Sequence, residues 1–343
     1  MDKLTRFAAF TLLGLLAAFV AYVFWDSGRG AGTSQISGSP SQINSFAFKS
    51  HTECRECHPQ YYEEWQRSFH AQAWTDPWVK QSWACYADQD CKNCHAPMPV
   101  MLNGRKPTLA PRTDDLESGV NCLTCHMSPQ GVMAPEERQI TMAKSCAPVK
   151  NDLIATDAMC WECHPNQYDD WRGTSFYKKG QGCKSCHMDQ MDRPLVPNGP
   201  TRKTRVHFWK GAHTFTFIKT AYDFKFVPTP KGLEVTLMNT KSGHFFPAER
   251  HNRALWVEVF FYDDKGAQVG DMVKWTIREG SNLPRNVRSL DIKPDAQVSN
   301  LFPYPVASGK AKVTLKFDYF YADEDEYTRI LEDPAPVAFK KAE

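Results

Sequence analysis

Five copies of one short pattern constrain this chain more than anything else in it: a cysteine, two residues, a second cysteine, then a histidine. They are Cys54-Arg-Glu-Cys57-His58, Cys91-Lys-Asn-Cys94-His95, Cys122-Leu-Thr-Cys125-His126, Cys160-Trp-Glu-Cys163-His164 and Cys183-Lys-Ser-Cys186-His187. Ten of the 12 cysteines are used in this way. C-x-x-C-H is the c-type haem attachment pattern. Two thiols three positions apart lie about one helical turn from each other, so both can add to the vinyl groups along one side of one porphyrin. The next residue then comes up beneath the ring as the proximal iron ligand. Zinc knuckles and thioredoxin-like pairs also use CxxC, but neither requires a histidine after every second cysteine. The reading is five covalently attached c-type haems, with His58, His95, His126, His164 and His187 proximal.

The motifs are not independent. CRECHPQYYEEW (54–65) and CWECHPNQYDDW (160–171) share seven of twelve positions, and GVNCLTCHM (119–127) matches GQGCKSCHM (180–188). An internal duplication follows, with the Cys91 segment as an insertion in the first copy. Cys85 and Cys146 are left over and most simply form a disulfide stabilising that insertion; a reactive thiol pair is the alternative. A composition of 42% hydrophobic and 23% charged residues is that of folded protein and excludes wholesale disorder or a polytopic membrane protein. With 41 Lys plus Arg against 39 Asp plus Glu, no basic stripe is left for nucleic acid.

After Lys3 and Arg6, residues 7–25 run uncharged and mostly apolar, about 28 Å of helix against a hydrocarbon core of roughly 30 Å. The expectation is an uncleaved signal anchor: single-pass in the inner (cytoplasmic) membrane, with the rest of the chain in the periplasm. Residues 26–47, rich in Gly and Ser, read as a flexible tether. Four regions result: anchor 1–25, linker 26–47, pentahaem domain 48–200 and a β-domain 201–343.

Sixth iron ligands separate a wire from an enzyme. Six of the 11 histidines lie outside the motifs, and the candidate distal ligands rank His70, His244, His207, His213 and His51, with His251 last. From about residue 201 the hydrophobic period becomes two. Leu233, Val235 and Leu237 alternate with polar residues, residues 255–262 read as a buried strand, and Val313, Leu315, Phe317, Tyr319 and Tyr321 share one face. An antiparallel β-sandwich of about seven strands is expected. It carries the loop Asn239-Thr-Lys-Ser-Gly-His244-Phe-Phe-Pro247, in which His244 either caps a haem or sits in a plain turn.

The run CRECHPQYYEEWQRSFHAQA, most specific over residues 54–71, together with GVNCLTCHM, resembles the cytochrome c-554 family of multihaem cytochromes over about residues 50–190. That resemblance implies a mainly helical haem domain with closely stacked haem pairs, carrying electrons in the periplasm, and makes His70 distal to a different haem of the array. The G-H-x-x-P loop resembles C-terminal domains of other multihaem cytochromes. Two departures stand out: this chain has five motifs where the family has four, and the second repeat has Phe176 where the first has His70. Met127 and Met188 adjoin proximal histidines and so lie on the wrong side of their rings; Met98 is freer.

The expected fold class is α+β: a transmembrane helix, a mainly helical multihaem domain with little regular structure, and an antiparallel β-sandwich. The expected function is a tethered electron carrier between redox partner proteins, rather than a catalyst. The alternatives are an enzyme acting on a small nitrogen or sulfur species at one open haem, a quinol dehydrogenase, and a pentahaem subunit of a larger quinol-oxidising or terminal reductase complex.

Overall fold

The computed structural model describes residues 48–77, 79, 89–103, 109–136, 146, 148–247, 253–277, 292–318 and 328–342. The expected anchor and tether, Cys85 and His251 lie outside them.

The motif-bearing region opens with α1 (Cys54–Cys57), α2 (Pro59–Gln66), α3 (Gln89–His95), α4 (Val100–Asn103) and α5 (Cys122–His126). A small sheet follows, β1 (Met127–Ser128), β2 (Gly131–Ala134) and β3 (Val149–Lys150), in that order. Then come α6 (Asp152–Ala155), α7 (Ala158–Trp161), α8 (Pro165–Arg172), α9 (Ser175–Lys178) and α10 (Cys183–His187). The antiparallel hairpin β4 (Gln190–Pro194) and β5 (Thr201–Arg205) and the short α11 (Phe215–Ile218) close this half.

Helices stay short for a local reason. His58 and His164 leave helical geometry at φ −122°, ψ 52° and φ −120°, ψ 53°. The prolines that follow, Pro59 and Pro165, then start a fresh helix at its first turn, where a missing N–H costs nothing. One helical turn holds a motif, and the chain then changes direction.

Two expectations need correction here. The region is not mainly helical: among the described residues no helix exceeds eight residues, one small sheet lies between the third and fourth motifs, and a β-hairpin follows the fifth. The structure is mixed and rich in strands. Nor is any described helix long and apolar enough to cross a membrane. The single-pass inner-membrane placement drawn from residues 7–25 therefore has no structural support and is withdrawn.

The remainder is antiparallel β-structure. Strands β6 (Asp223–Thr229), β7 (Gly232–Met238) and β10 (Gln297–Phe302) form one sheet, ordered β10-β7-β6. Strands β8 (Ala254–Tyr262), β9 (Val273–Ile277), β11 (Ser308–Asp318), β12 (Thr328–Glu332) and β13 (Val337–Lys340) form the other, with β11 paired to β8, β12 and β13. Leu233, Val235 and Leu237 from the first sheet and Val257, Val259, Val313 and Leu315 from the second meet in one core, all essentially inaccessible. Each such side chain contributes about 1.5–3 kcal/mol of burial. The core carries no motif; it holds up the loop that leaves β7. In that loop Asn239, fully buried, donates to His244 O (2.8 Å) and Ile292 O (2.9 Å) and accepts from Ser242 N (3.1 Å).

Candidate haem-binding site

Four of the five motif histidines are held in one tautomer. The Nδ1–H of His58 donates to Leu195 O (2.8 Å), of His95 to Ala73 O (2.6 Å), of His126 to Met133 O (3.0 Å) and of His187 to Lys210 O (2.6 Å). A ring that spends Nδ1–H on a carbonyl keeps its lone pair on Nε2, which is how proteins orient an imidazole toward a metal. Two histidines outside the motifs share this arrangement: His207 Nδ1 with Arg205 O (2.9 Å) and His244 Nδ1 with Phe245 O (2.9 Å).

These rings are then brought into pairs. His126 and His207 have centroids 6.2 Å apart with planes at 29°, His187 and His244 6.2 Å at 12°, and His164 and His70 6.4 Å at 44°. With a metal–nitrogen bond of about 2.0 Å and about 1.1 Å from ring nitrogen to centroid, two imidazoles on opposite sides of one metal stand about 6.2 Å apart. The separations fit a shared iron and are too long for ordinary ring stacking. Burial pushes His126 below its usual range, and burial with the nearby His126 takes His207 down to about 4. Both rings therefore stay neutral, as a ligand must.

The thiols of different motifs also meet. Cys54 and Cys122, Cys94 and Cys163, and Cys160 and Cys183 lie close enough for each thiol to perturb the ionisation of the other. The first motif thus neighbours the third, and the fourth neighbours both the second and the fifth. Burial pushes the Cys125 thiol up to about 11. Arg112 Nε and Asn93 Oδ1 are buried without a hydrogen-bond partner among the described residues. Buried polar groups are rarely left so, and a prosthetic group bearing carboxylates would satisfy the former.

Other sequence candidates are placed differently. His51 is buried, its Nδ1 3.2 Å from Asp115 Oδ2 and its ring against Tyr62 and Trp65. His213 stacks on Phe69 at 3.6 Å. Cys146, paired with Cys85 in the sequence reading, is a free thiol within electrostatic reach of Cys54 and Cys57, while Cys91 is disulfide-bonded.

Sequence reasoning missed three groups around these centres. Glu64 forms a two-pronged ion pair with Arg193 and accepts from the His207 amide (2.8 Å). Asp157 caps α10 by accepting from Lys184 N (2.9 Å), in place of the side chain that Gly182 lacks. Trp209 packs edge-on against both His70 (4.6 Å) and His207 (5.2 Å). Only Asp157 had a sequence signal, the bare glycine at a position where the first repeat has Asn121.

Residues 53–127 match the family described as cytochrome c554 and c-prime. The solved structure of a penta-heme cytochrome c552 from Thermochromatium tepidum superposes with a TM-score of 0.57 at 14% identity, covering 85% of this chain and 98% of that chain. At that identity the likeness is one of fold. The X-ray structure of Northeast Structural Genomics Consortium target SoR45 aligns at a TM-score of 0.18 and 11% identity over 35% of this chain and 83% of that one, too low to carry an argument. No curated protein matches. Motifs, fold and family match together define an electron-transfer haem protein of the multihaem cytochrome c type. It carries covalently bound c-type haem, and such a protein works with redox partner proteins.

Proposed function

We propose that the chain is a pentahaem cytochrome that relays electrons between redox partner proteins, with bis-histidine ligation at the third, fourth and fifth motifs. The observation that carries this is the trio of ring pairs His126/His207, His164/His70 and His187/His244 at 6.2–6.4 Å. Cys54 and Cys57, Cys91 and Cys94, Cys122 and Cys125, Cys160 and Cys163, and Cys183 and Cys186 would form the thioethers, each by addition of S–H across a vinyl group. Bound haem supplies one-electron ferric/ferrous chemistry, its potential tuned by axial ligands and burial. The residues themselves fix ring orientation through Nδ1, exclude water by burial, and bring thiols of different motifs close together.

Phe176 favours the carrier over the open-haem enzyme. It is packed beneath the loop that carries His244: a Cβ added to Gly243 would meet Trp171 at 3.3 Å and Phe176 at 3.4 Å. The residue that replaces a histidine in the second repeat is thus a seat for the segment delivering another.

The test is a haemochrome assay with low-temperature EPR. Wild type should give five haems per chain, and His70→Ala, His207→Ala and His244→Ala should each convert one low-spin signal to high spin. Unchanged spectra in all three would remove the ligand assignment. A high-spin signal in wild type together with turnover of a small nitrogen or sulfur species would instead favour the enzyme.

A further inference from the structure

Trp209 adopts φ +47°, a left-handed conformation that L-residues with bulky side chains rarely hold and that persists only where the surroundings over-determine it. Its ring stands edge-on to His70 at 4.6 Å (66°) and to His207 at 5.2 Å (84°). Those two histidines belong to different ring pairs, with His164 and with His126. The next residue serves a third pair, because Lys210 O accepts from His187 Nδ1 at 2.6 Å. Two residues earlier, His207 is itself a member of a pair, oriented by Arg205 O. The Arg205 guanidinium in turn donates to Lys184 O (2.9 Å), inside the fifth motif, and to Met188 O (3.0 Å), directly after it.

An extended or helical residue at 209 would not send the ring and the following carbonyl toward different motifs. We propose that Trp209 is a positioning residue shared by three centres. Its ring sets the imidazole planes of His70 and His207, and its left-handed backbone aims the Lys210 carbonyl at His187, so that segment 205–210 couples the third, fourth and fifth motifs mechanically. This rests on the ligand assignment above and deepens it.

Two variants of the full matured protein separate ring from backbone. Trp209→Gly keeps the left-handed conformation, at no steric cost, and removes the ring. Two low-spin EPR signals should then shift their largest g value, those lost in His70→Ala and in His207→Ala, while the signal assigned through His244→Ala stays put. Trp209→Val resists left-handed geometry and should move all three, and Trp209→Phe should restore most of the wild-type pattern. The shifts are read at unchanged haem count, which a merely structural role would not produce selectively. Wild-type g values in Trp209→Gly, or equal shifts at all three signals in that variant, overturn the proposal. If the alanine variants themselves create no high-spin signal, the ligand assignment has failed, and with it this inference.

Discussion

The two halves of the internal duplication, residues 54–127 and 160–188, have kept one hydrogen-bond scheme while exchanging the groups that serve it. Trp65 Nε1–H donates to Val120 O and Trp171 Nε1–H to Gln181 O, each at 2.8 Å. Ser68 and Thr174 return their hydroxyls to the carbonyl three residues back, at 2.6 and 2.7 Å. Val120 N reaches His70 O and Gln181 N reaches Phe176 O. In the first copy this close approach needs Gly119 at φ +56°, where a Cβ would collide with the His70 carbonyl. Backbone and tryptophan anchors are invariant between the copies; caps and the side chain at 70/176 are not. What sets a motif's local geometry is duplicated, whereas what the motif faces is decided elsewhere in the chain.

The largest break in the comparison is the insertion that only the first copy has. Cys91 is disulfide-bonded and cannot form a thioether in that state. Maturation without reductant should therefore leave the haem of this motif held by the single thioether of Cys94, seen as a red-shifted component of the haemochrome band at an unchanged count of five, and maturation with reductant should remove that component. An identical band in both would show that the disulfide does not form during maturation.

Next in size are the tryptophan anchors. Trp65→Ala and Trp171→Ala should each cost about 3–5 kcal/mol in denaturant unfolding of the matured protein. Equal costs sharpen the equivalence of the copies; a difference beyond about 2 kcal/mol breaks it.

The ion pair of the first copy has only the shorter Asp170 at the matching position of the second. Glu64 and Arg193 are 20% and 10% exposed. Burial alone would lift the Glu64 carboxyl, but Arg193 and the His207 amide outweigh it and hold it below the usual range. A carboxyl depressed on folding contributes stability above its unfolded pKa of about 4.3 that is lost as pH falls. Glu64→Gln should cost about 2–3 kcal/mol at neutral pH and flatten the acid limb of the stability curve. An acid limb identical to wild type would remove Glu64 from that role.

The smallest effects are the caps. Asn121→Ala and Asp157→Ala should each cost about 1 kcal/mol, since Asn121 accepts from Thr124 N (3.2 Å) as Asp157 does from Lys184 N. Gly182→Asn should fail to replace the lost cap unless Asp157 is also removed, because a Cβ at 182 collides with the Asp157 carboxylate. The double variant recovering stability over Asp157→Ala alone is the decisive comparison.

Covalently bound c-type haem was legible in kind because attachment is a local requirement, two thiols and a histidine within five residues, and the repeat can be read from residues 54–65 and 160–171 alone. The alternation at Leu233, Val235 and Leu237 likewise reports a strand with one face buried. Helical content was overread because the family resemblance stood in for periodicity in a region too short-ranged to show any. The placement of a membrane anchor rested on a segment outside the described residues. The distal partners were only ranked, since nothing near His207 or His244 says which motif each meets; His207 lies 81 positions beyond His126, and His244 lies 57 beyond His187.

The sequence by itself determined the attachment pattern and that this unit is duplicated, because the pattern needs only neighbours in the chain. Tertiary structure alone decided that His70 crosses from the first copy to His164, that His244 is delivered by a loop seated on Phe176, and that Trp209 stands between two ring pairs. Each is a meeting of residues far apart in sequence, brought about by packing, and no local pattern encodes it.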